Sequence, residues 1–231
     1  MTQLISEPLS RYLDAAILKP ETTQAEFDQA LEQCVALDTR TVCVRPCDIK
    51  PAQHLCRGTD TGVCVVLGFP HGVILPESKS DEAKRYLDFG VDEIDMVVNY
   101  SWARSDLWDK VLLDIQAVSQ HTRPAQVPLK VIFESSQLDA TTVAKLVDLS
   151  IEAQADFVKT STGFTGEGAT DEMVQLMLQQ ADGRIKVKPS GGIRDQARAT
   201  ALLEMGAHRL GVNWASCQAI VSGDGGGGSG Y

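Results

Sequence analysis

At 231 residues with 43% hydrophobic side chains, the chain is long enough for one large domain with a sizeable core. A formal net charge of −10 disfavours a nucleic-acid groove or an anionic membrane as main partner, because both call for clustered Lys and Arg. A small anionic substrate needs only a local positive site and stays open. The N-terminus has no basic n-region followed by a long apolar stretch, and no apolar run approaches the ~20 residues of a membrane span. Six cysteines (Cys34, Cys43, Cys47, Cys56, Cys64 and Cys217) show neither paired CxxC spacing nor metal-ligand spacing. The expectation is a cytoplasmic protein with free thiols, no metal and no other cofactor.

In chain order, the segment through Leu13 predicts a short helix, followed by an apolar run at Ala15 to Leu18. Thr23 and Glu26 have capping-box spacing ahead of Phe27, Ala30, Leu31, Cys34 and Val35 at helical period. Thr41 to Val44 is a short β-branched strand stopped by Pro46, and Ile49 to Cys56 is one or two helical turns. Gly62 to Leu67 is a valine-rich strand that ends in Gly68-Phe69-Pro70-His71-Gly72. Pro76 to Phe89 reads as a helix closed by Gly90 in a left-handed cap. Strands follow at Glu93 to Val98, Leu129 to Phe133, Phe157 to Lys159, Ile185 to Lys188 and His208 to Gly211. Between and after them, helices are predicted over Asp106 to His121, Asp139 to Gln154, Thr170 to Gln180, Asp195 to Met205 and Asn213 to Val221.

About eight short apolar strands, each followed by a helix, predict parallel strands buried on both faces. At this chain length the pattern is that of a single TIM barrel, with a doubly wound open sheet as runner-up. The barrel domain is expected over residues 1–222, with a flexible glycine-rich tail over 223–231.

In such barrels the reacting groups stand at the C-terminal ends of the strands. That rule selects Asp95, Glu134, Lys159 and Lys188. A lone strand-end lysine more often snorkels to solvent, but two successive strands here each end in lysine followed by a Ser/Gly loop. An ordinary lysine is neutral in only a few parts in ten thousand at pH 7, and burial beside a second cation favours its neutral, nucleophilic form. Lys159 is therefore a candidate Schiff-base amine, with Lys188 as the activating charge. Asp95 fits a structural ion pair with Lys130 and equally a proton shuttle; the two roles are compatible. Glu134 either pairs with lysine or caps a loop. The loops Thr160-Ser161-Thr162-Gly163 and Ser190-Gly191-Gly192 fit ordinary βα turns or an anion site, to which the following helix would point its positive end. Cys43 could face the pocket or be a buried thiol, and His71 fits a simple loop residue.

The motifs Leu13-Asp14, Leu18-Lys19-Pro20, Val42-Cys43-Val44, Gly68 to Gly72, Glu93 to Val98, Leu129 to Glu134, Ala155 to Phe164 and Val187 to Arg194 together resemble the deoxyribose-phosphate aldolases. The resemblance runs from about Leu13 to Ser222. It implies Lys159 as Schiff-base lysine, Lys188 as its neighbour and Asp95 in the proton relay. It also implies reversible cleavage of 2-deoxyribose 5-phosphate to glyceraldehyde 3-phosphate and acetaldehyde, without metal, by a homodimer. Phosphate would lie against Thr160, Thr162, Gly163, Ser190, Gly191, Gly192, Arg194, Gly211 and Asn213.

Three departures from the family pattern stand out. Ala15 and Ala16 occupy positions usually held by a His-Thr pair or similar. Asn213 and Trp214 replace two serines of the last strand, and Trp214 is expected to fill space where phosphate would sit. Glu167 adds a negative charge beside the phosphate loop. These changes predict a weakened phosphate grip and a more tolerant acceptor pocket. The tail ends in Tyr231, which some family members use in proton transfer. Two other functions fit the sequence: a Schiff-base aldolase acting mainly on non-phosphorylated or other aldehydes, and a barrel that binds a metabolite without catalysis.

Overall fold

The computed structural model describes residues 5–223. Its strands are β1 (Leu13–Ile17), β2 (Thr41–Val44), β3 (Gly62–Leu67), β4 (Glu93–Val97), β5 (Leu129–Ile132), β6 (Phe157–Lys159), β7 (Lys186–Lys188) and β8 (Leu210–Asn213). The helices between and after them are α1 (Gln24–Ala36), α2 (Ile49–Cys56), α3 (Pro76–Phe89), α4 (Tyr100–Ala103), α5 (Trp108–Thr122), α6 (Ala140–Glu152), α7 (Asp171–Ala181), α8 (Gln196–Glu204) and α9 (Cys217–Ser222). All eight strands are parallel neighbours in the order β7-β6-β5-β4-β3-β2-β1-β8. A bridge between Ser190, just past β7, and Gly211 of β8 joins the two ends. The sheet is therefore a (β/α)8 barrel and not the open, doubly wound alternative.

Alternation along each strand sorts side chains between two environments. Ala15, Ile17, Val42, Val44, Val63, Val65, Ile94, Met96, Val131, Val158 and Val187 face outward into the buried layer under the helices. Inside the barrel, a small apolar cluster of Leu18, Cys43, Cys64 and Val66 sits beside a group of buried charges.

Helix ends follow the expected chemistry. Thr23 and Glu26 form a reciprocal capping box, and Gly90 closes α3 at φ 75°. The N-terminal turn is a four-residue 3-10 helix (Leu9–Tyr12), so Leu13 opens β1 and does not end a helix. The last strand begins two residues later than expected and runs to Asn213. Gly211 and Asn213 read as terminators in isolation, but pairing of Leu210 to Asn213 with Leu13 to Ala16 of β1 holds them extended. That shift places Asn213 at the rim of the barrel. Among the described residues, no helix is long and apolar enough to cross a membrane.

Candidate active site

Register brings the chemistry together. Asp95 of β4 lies level with Lys130 of β5, and Lys159 of β6 lies level with Lys188 of β7. All four point into the barrel. Asp95 Oδ2 accepts from Lys159 Nζ at 2.8 Å and from Lys188 Nζ at 2.7 Å, while its Oδ1 accepts from Lys130 Nζ at 2.7 Å. Lys130 also meets Glu93 at 2.5 Å, and Lys188 meets Asp14 at 2.5 Å. Arg209 closes the base of the cluster, donating to Asp14 at 2.6 Å and to both Glu93 oxygens at 3.1 Å.

The cluster thus holds three carboxylates (Asp14, Glu93, Asp95) against four cations (Lys130, Lys159, Lys188, Arg209). A buried charge is tolerated only when paired, and each of these has at least one partner. Burial alone would raise the pKa of Asp95, but Lys130, Lys159 and Lys188 outweigh it and hold the carboxyl well below the usual range. Asp14 is likewise depressed: burial opposes, and Arg209, Lys188 and Lys130 prevail. Lys188 is pushed up despite burial, because Asp14 and Asp95 flank it.

Lys188 is therefore not a bare cation beside Lys159, as the sequence suggested; two carboxylates neutralise it. Asp14, Glu93 and Arg209 were not singled out as site residues from the sequence, although Asp14 and Glu93 fell inside quoted motifs. Their signal was a charged residue within or directly before a mostly apolar strand.

Among the three lysines of the cluster, Lys159 is the one that reaches a cavity most openly. Its side chain retains 5% of its accessible surface, against 1% for Lys188 and none for Asp95. It lines a small cavity with Cys43, Thr162, Lys188, Ser190 and Gly211. The Ser190 hydroxyl there is buried and has no hydrogen-bond partner among the described residues.

Through Gly191 and Gly211 this cavity adjoins a larger one of about 230 Å³, lined by Gly163, Glu167, Gly168, Gly192, Arg194, Asn213 and Ser216. Backbone dominates these walls. A Cβ on Gly191, whose φ is +84°, would lie 2.8 Å from Gly168 Cα, so the β6–α7 and β7–α8 loops touch main chain to main chain. The Ala169 N–H donates to Ser190 O at 3.0 Å across the same contact.

Other residues expected at the anion site have different employment. Thr160 lines neither cavity: it clasps Ser190, donating to its carbonyl at 3.1 Å and accepting from its N–H at 2.9 Å. Thr162 is gripped by Glu134, which thereby holds the loop; Lys159 acts on this carboxylate only through its field, with no direct ion pair. Burial raises the pKa of Glu134 against that grip. The N-terminus of α8 is occupied by the Asp195 side chain, which accepts from the Arg198 N–H at 2.8 Å, so that helix end is not presented to an anion as expected. Trp214 does not fill the larger cavity; it lines a separate one, while Ser216 supplies a hydroxyl-bearing wall residue that the sequence reading missed. Lys130 is wholly buried.

Cys43 and Cys64 stand level on β2 and β3, and with Asp95 they place three ligand-type atoms within 4.8 Å of one another. The Lys130 ammonium, 3.5 Å from Cys64 Sγ, already occupies that side of Asp95 and disfavours a cation there. A hydrogen bond from Cys64 lowers the pKa of Cys43, and burial raises that of Cys64. Tyr231 lies outside the described residues.

The chain as a whole is similar to known aldolases. The model of the DeoC/LacD family aldolases fits residues 12–214. The chain belongs to the DeoC/LacD aldolase family. A deoxyribose-phosphate aldolase of Brevibacillus brevis is 40% identical over 223 residues, covering 96% of this chain and 99% of the relative. Deoxyribose-phosphate aldolase 1 of Staphylococcus aureus is 38% identical over 203 residues, covering 88% of this chain and 91% of the relative. Among solved structures, the aldolase QR15 superposes with a TM-score of 0.87 at 37% identity, covering 95% of this chain and 96% of that one. The tetrameric deoxyribose phosphate aldolase of Aeropyrum pernix gives 0.85 at 27% identity, covering 93% of this DeoC/LacD aldolase and 89% of that chain.

Proposed function

We propose that this aldolase cleaves 2-deoxyribose 5-phosphate reversibly to glyceraldehyde 3-phosphate and acetaldehyde through a Schiff base on Lys159. The observation that carries this reading is the shared Asp95 Oδ2: Lys159 and Lys188 both bond to it, and of the three lysines in this cluster Lys159 has a single carboxylate partner while Lys130 and Lys188 have more. Neutralising one amine brings the cluster's charges into balance, and Lys159 can leave it with the fewest ion pairs broken.

The neutral Lys159 amine attacks the aldehyde carbon of the open-chain sugar, and loss of water gives the imine. Lys188 and Asp95, joined at 2.7 Å, pass the protons this dehydration requires. The protonated imine withdraws electrons from the bond between the second and third sugar carbons. That bond breaks as the third-carbon hydroxyl loses its proton, releasing glyceraldehyde 3-phosphate and leaving an enamine on Lys159. A proton returned to the enamine carbon and hydrolysis of the imine then free acetaldehyde and the amine. Asp95, held ionised, conducts protons and does not store them.

The phosphate would enter the glycine-walled cavity, where Arg194 is the cation among the lining residues and Glu167 opposes it. Ser216 offers a hydroxyl there, and Ser190 offers one from the adjoining Lys159 cavity. One carboxylate facing one guanidinium supports a phosphate grip weaker than a purely cationic site would give. Tyr231 is assigned an assisting role in proton transfer; its deletion should slow turnover far more than it alters thermal stability. The function is tested by comparing kcat/KM for deoxyribose 5-phosphate and free deoxyribose. Cleavage of both, with a modest preference for the phosphate, supports the reading, and cleavage of neither contradicts it.

A further inference from the structure

The cavity at Lys159 opens in a second direction. Ala16 and Leu18 line it, and the same two residues line a neighbouring cavity of about 290 Å³ between the β1–α1 loop and the start of the segment after β8. The inner walls of this second arm are apolar: Ala16, Leu18 and the partly buried Trp214. Its outer rim carries Lys19, Glu21 and Glu26, a mixed set with one more carboxylate than ammonium. Asn213 stands between this arm and the glycine-walled one, touching both.

Both walls are fixed in place. Arg45 donates to the carbonyls of Lys19 at 2.9 Å and Pro20 at 3.3 Å while paired with Asp48 at 2.5 Å, which pins the β1–α1 loop. Opposite, the Asn213 side chain accepts from the Ala215 N–H at 2.9 Å, and the Trp214 carbonyl accepts from Gln33 at 3.5 Å. The narrowest side chain at the junction is Ala16, set level with Asn213 of β8 and Cys43 of β2. A larger residue there would close the passage.

We propose that this arm is a second acceptor subsite that takes the apolar, aryl-bearing tail of an uncharged aldehyde, with the Trp214 indole as its stacking wall. The proposal rests on the Schiff-base reading of Lys159. An apolar pocket with a preformed aromatic wall favours a flat hydrophobic group, and the net negative rim disfavours a phosphate. Acetaldehyde condenses with the Lys159 amine, losing water, and the imine loses a methyl proton to become an enamine. The enamine carbon bonds to the carbonyl carbon of the aryl aldehyde, whose oxygen takes up a proton. Hydrolysis of the imine then releases a 3-hydroxy aldehyde and restores the lysine.

The test uses the full-length enzyme with acetaldehyde as donor and either 3-phenylpropanal or propanal as acceptor. Wild type should show a higher kcat/KM for 3-phenylpropanal, Trp214→Ala should erase that preference by roughly threefold to tenfold, and Trp214→Phe should keep most of it. Ala16→Leu should reduce the same preference by blocking the junction; it carries the comparison if Trp214→Ala does not fold. No preference in wild type, or a preference that survives both Trp214→Ala and Ala16→Leu, overturns the subsite. If acetaldehyde and borohydride fail to label Lys159 in wild type, the Schiff-base reading falls and the subsite with it; if they do label it, an absent aryl preference overturns the subsite alone.

Discussion

The reaction centre and the acceptor cavities are built in opposite ways. At the centre, side chains do everything: Asp95, Lys130, Lys159 and Lys188 project from adjacent strands whose register sets their distances. At the acceptor cavities, much of the wall is backbone or the absence of a side chain, as at Gly168, Gly191, Gly211 and Ala16. Strand-borne charges are rigid and mutually dependent, so a change in one disturbs all. Loop-borne space can be altered piecemeal, and substrate preference can drift while the amine chemistry stays.

This contrast can be broken first at the amine. Lys159→Ala should lower deoxyribose 5-phosphate cleavage by on the order of 10⁴-fold or more in a steady-state assay, without shifting selectivity among residual acceptors. Asp95→Asn should cost roughly 10²- to 10⁴-fold in kcat, because it removes the proton conductor and leaves Lys159 without a carboxylate partner. Both effects belong to the strand-borne centre.

Arg209→Met probes the mutual dependence of the charges. It strips Asp14 and Glu93 of a shared partner. Breaking one partner out of a buried ionic group is expected to cost about 3–5 kcal/mol, read as a lower urea midpoint. The pH dependence has a definite sign. Asp14 and Asp95 have folded-state pKa values below the unfolded ones, so their contribution is present above about pH 4 and is lost as pH falls further. Lys188 is shifted upward, so its contribution is present below about pH 10 and fails only in alkali. Urea midpoints of wild type should drop steeply below about pH 4, and Asp95→Asn should flatten that drop.

Gly191→Ala should have the smallest effect on the chemistry. A Cβ there would press on Gly168 at a positive φ, so the two loops must part. The account expects a KM for deoxyribose 5-phosphate raised about tenfold, with kcat changed less. A larger loss in kcat than in KM would blur the line between centre and cavity.

The same contrast explains what could be read from the sequence. The barrel was legible because buried parallel strands demand apolar runs and helices demand period and caps, as in Gly62–Leu67 and Pro76–Phe89, both placed to the residue. Lys159, Lys188 and Asp95 were legible because a charge at a strand end needs a reason. Lys188's second partner, Asp14, was harder to foresee, since it comes from β1, far away in sequence and close only after closure of the barrel. Trp214 was misplaced for a related reason. Its motif position is adjacent to Asn213, which touches both cavities, but the chain turns into a 3-10 helix (Trp214–Ser216) directly after β8, which sends Trp214 and Ala215 to one cavity and Ser216 to the other. Employment of Thr160 and Thr162 in clasping loops likewise depends on neighbours 28 to 30 residues away.

The central claim is that Lys159 is the amine that forms the covalent intermediate. Incubation with acetaldehyde followed by borohydride, with peptide mass spectrometry, tests it most directly. The account predicts a single ethyl adduct on Lys159, none on Lys130 or Lys188, and none anywhere in the cluster of the Lys159→Ala variant. An unlabelled Lys159, or an adduct on Lys188 in the wild-type protein, would contradict it.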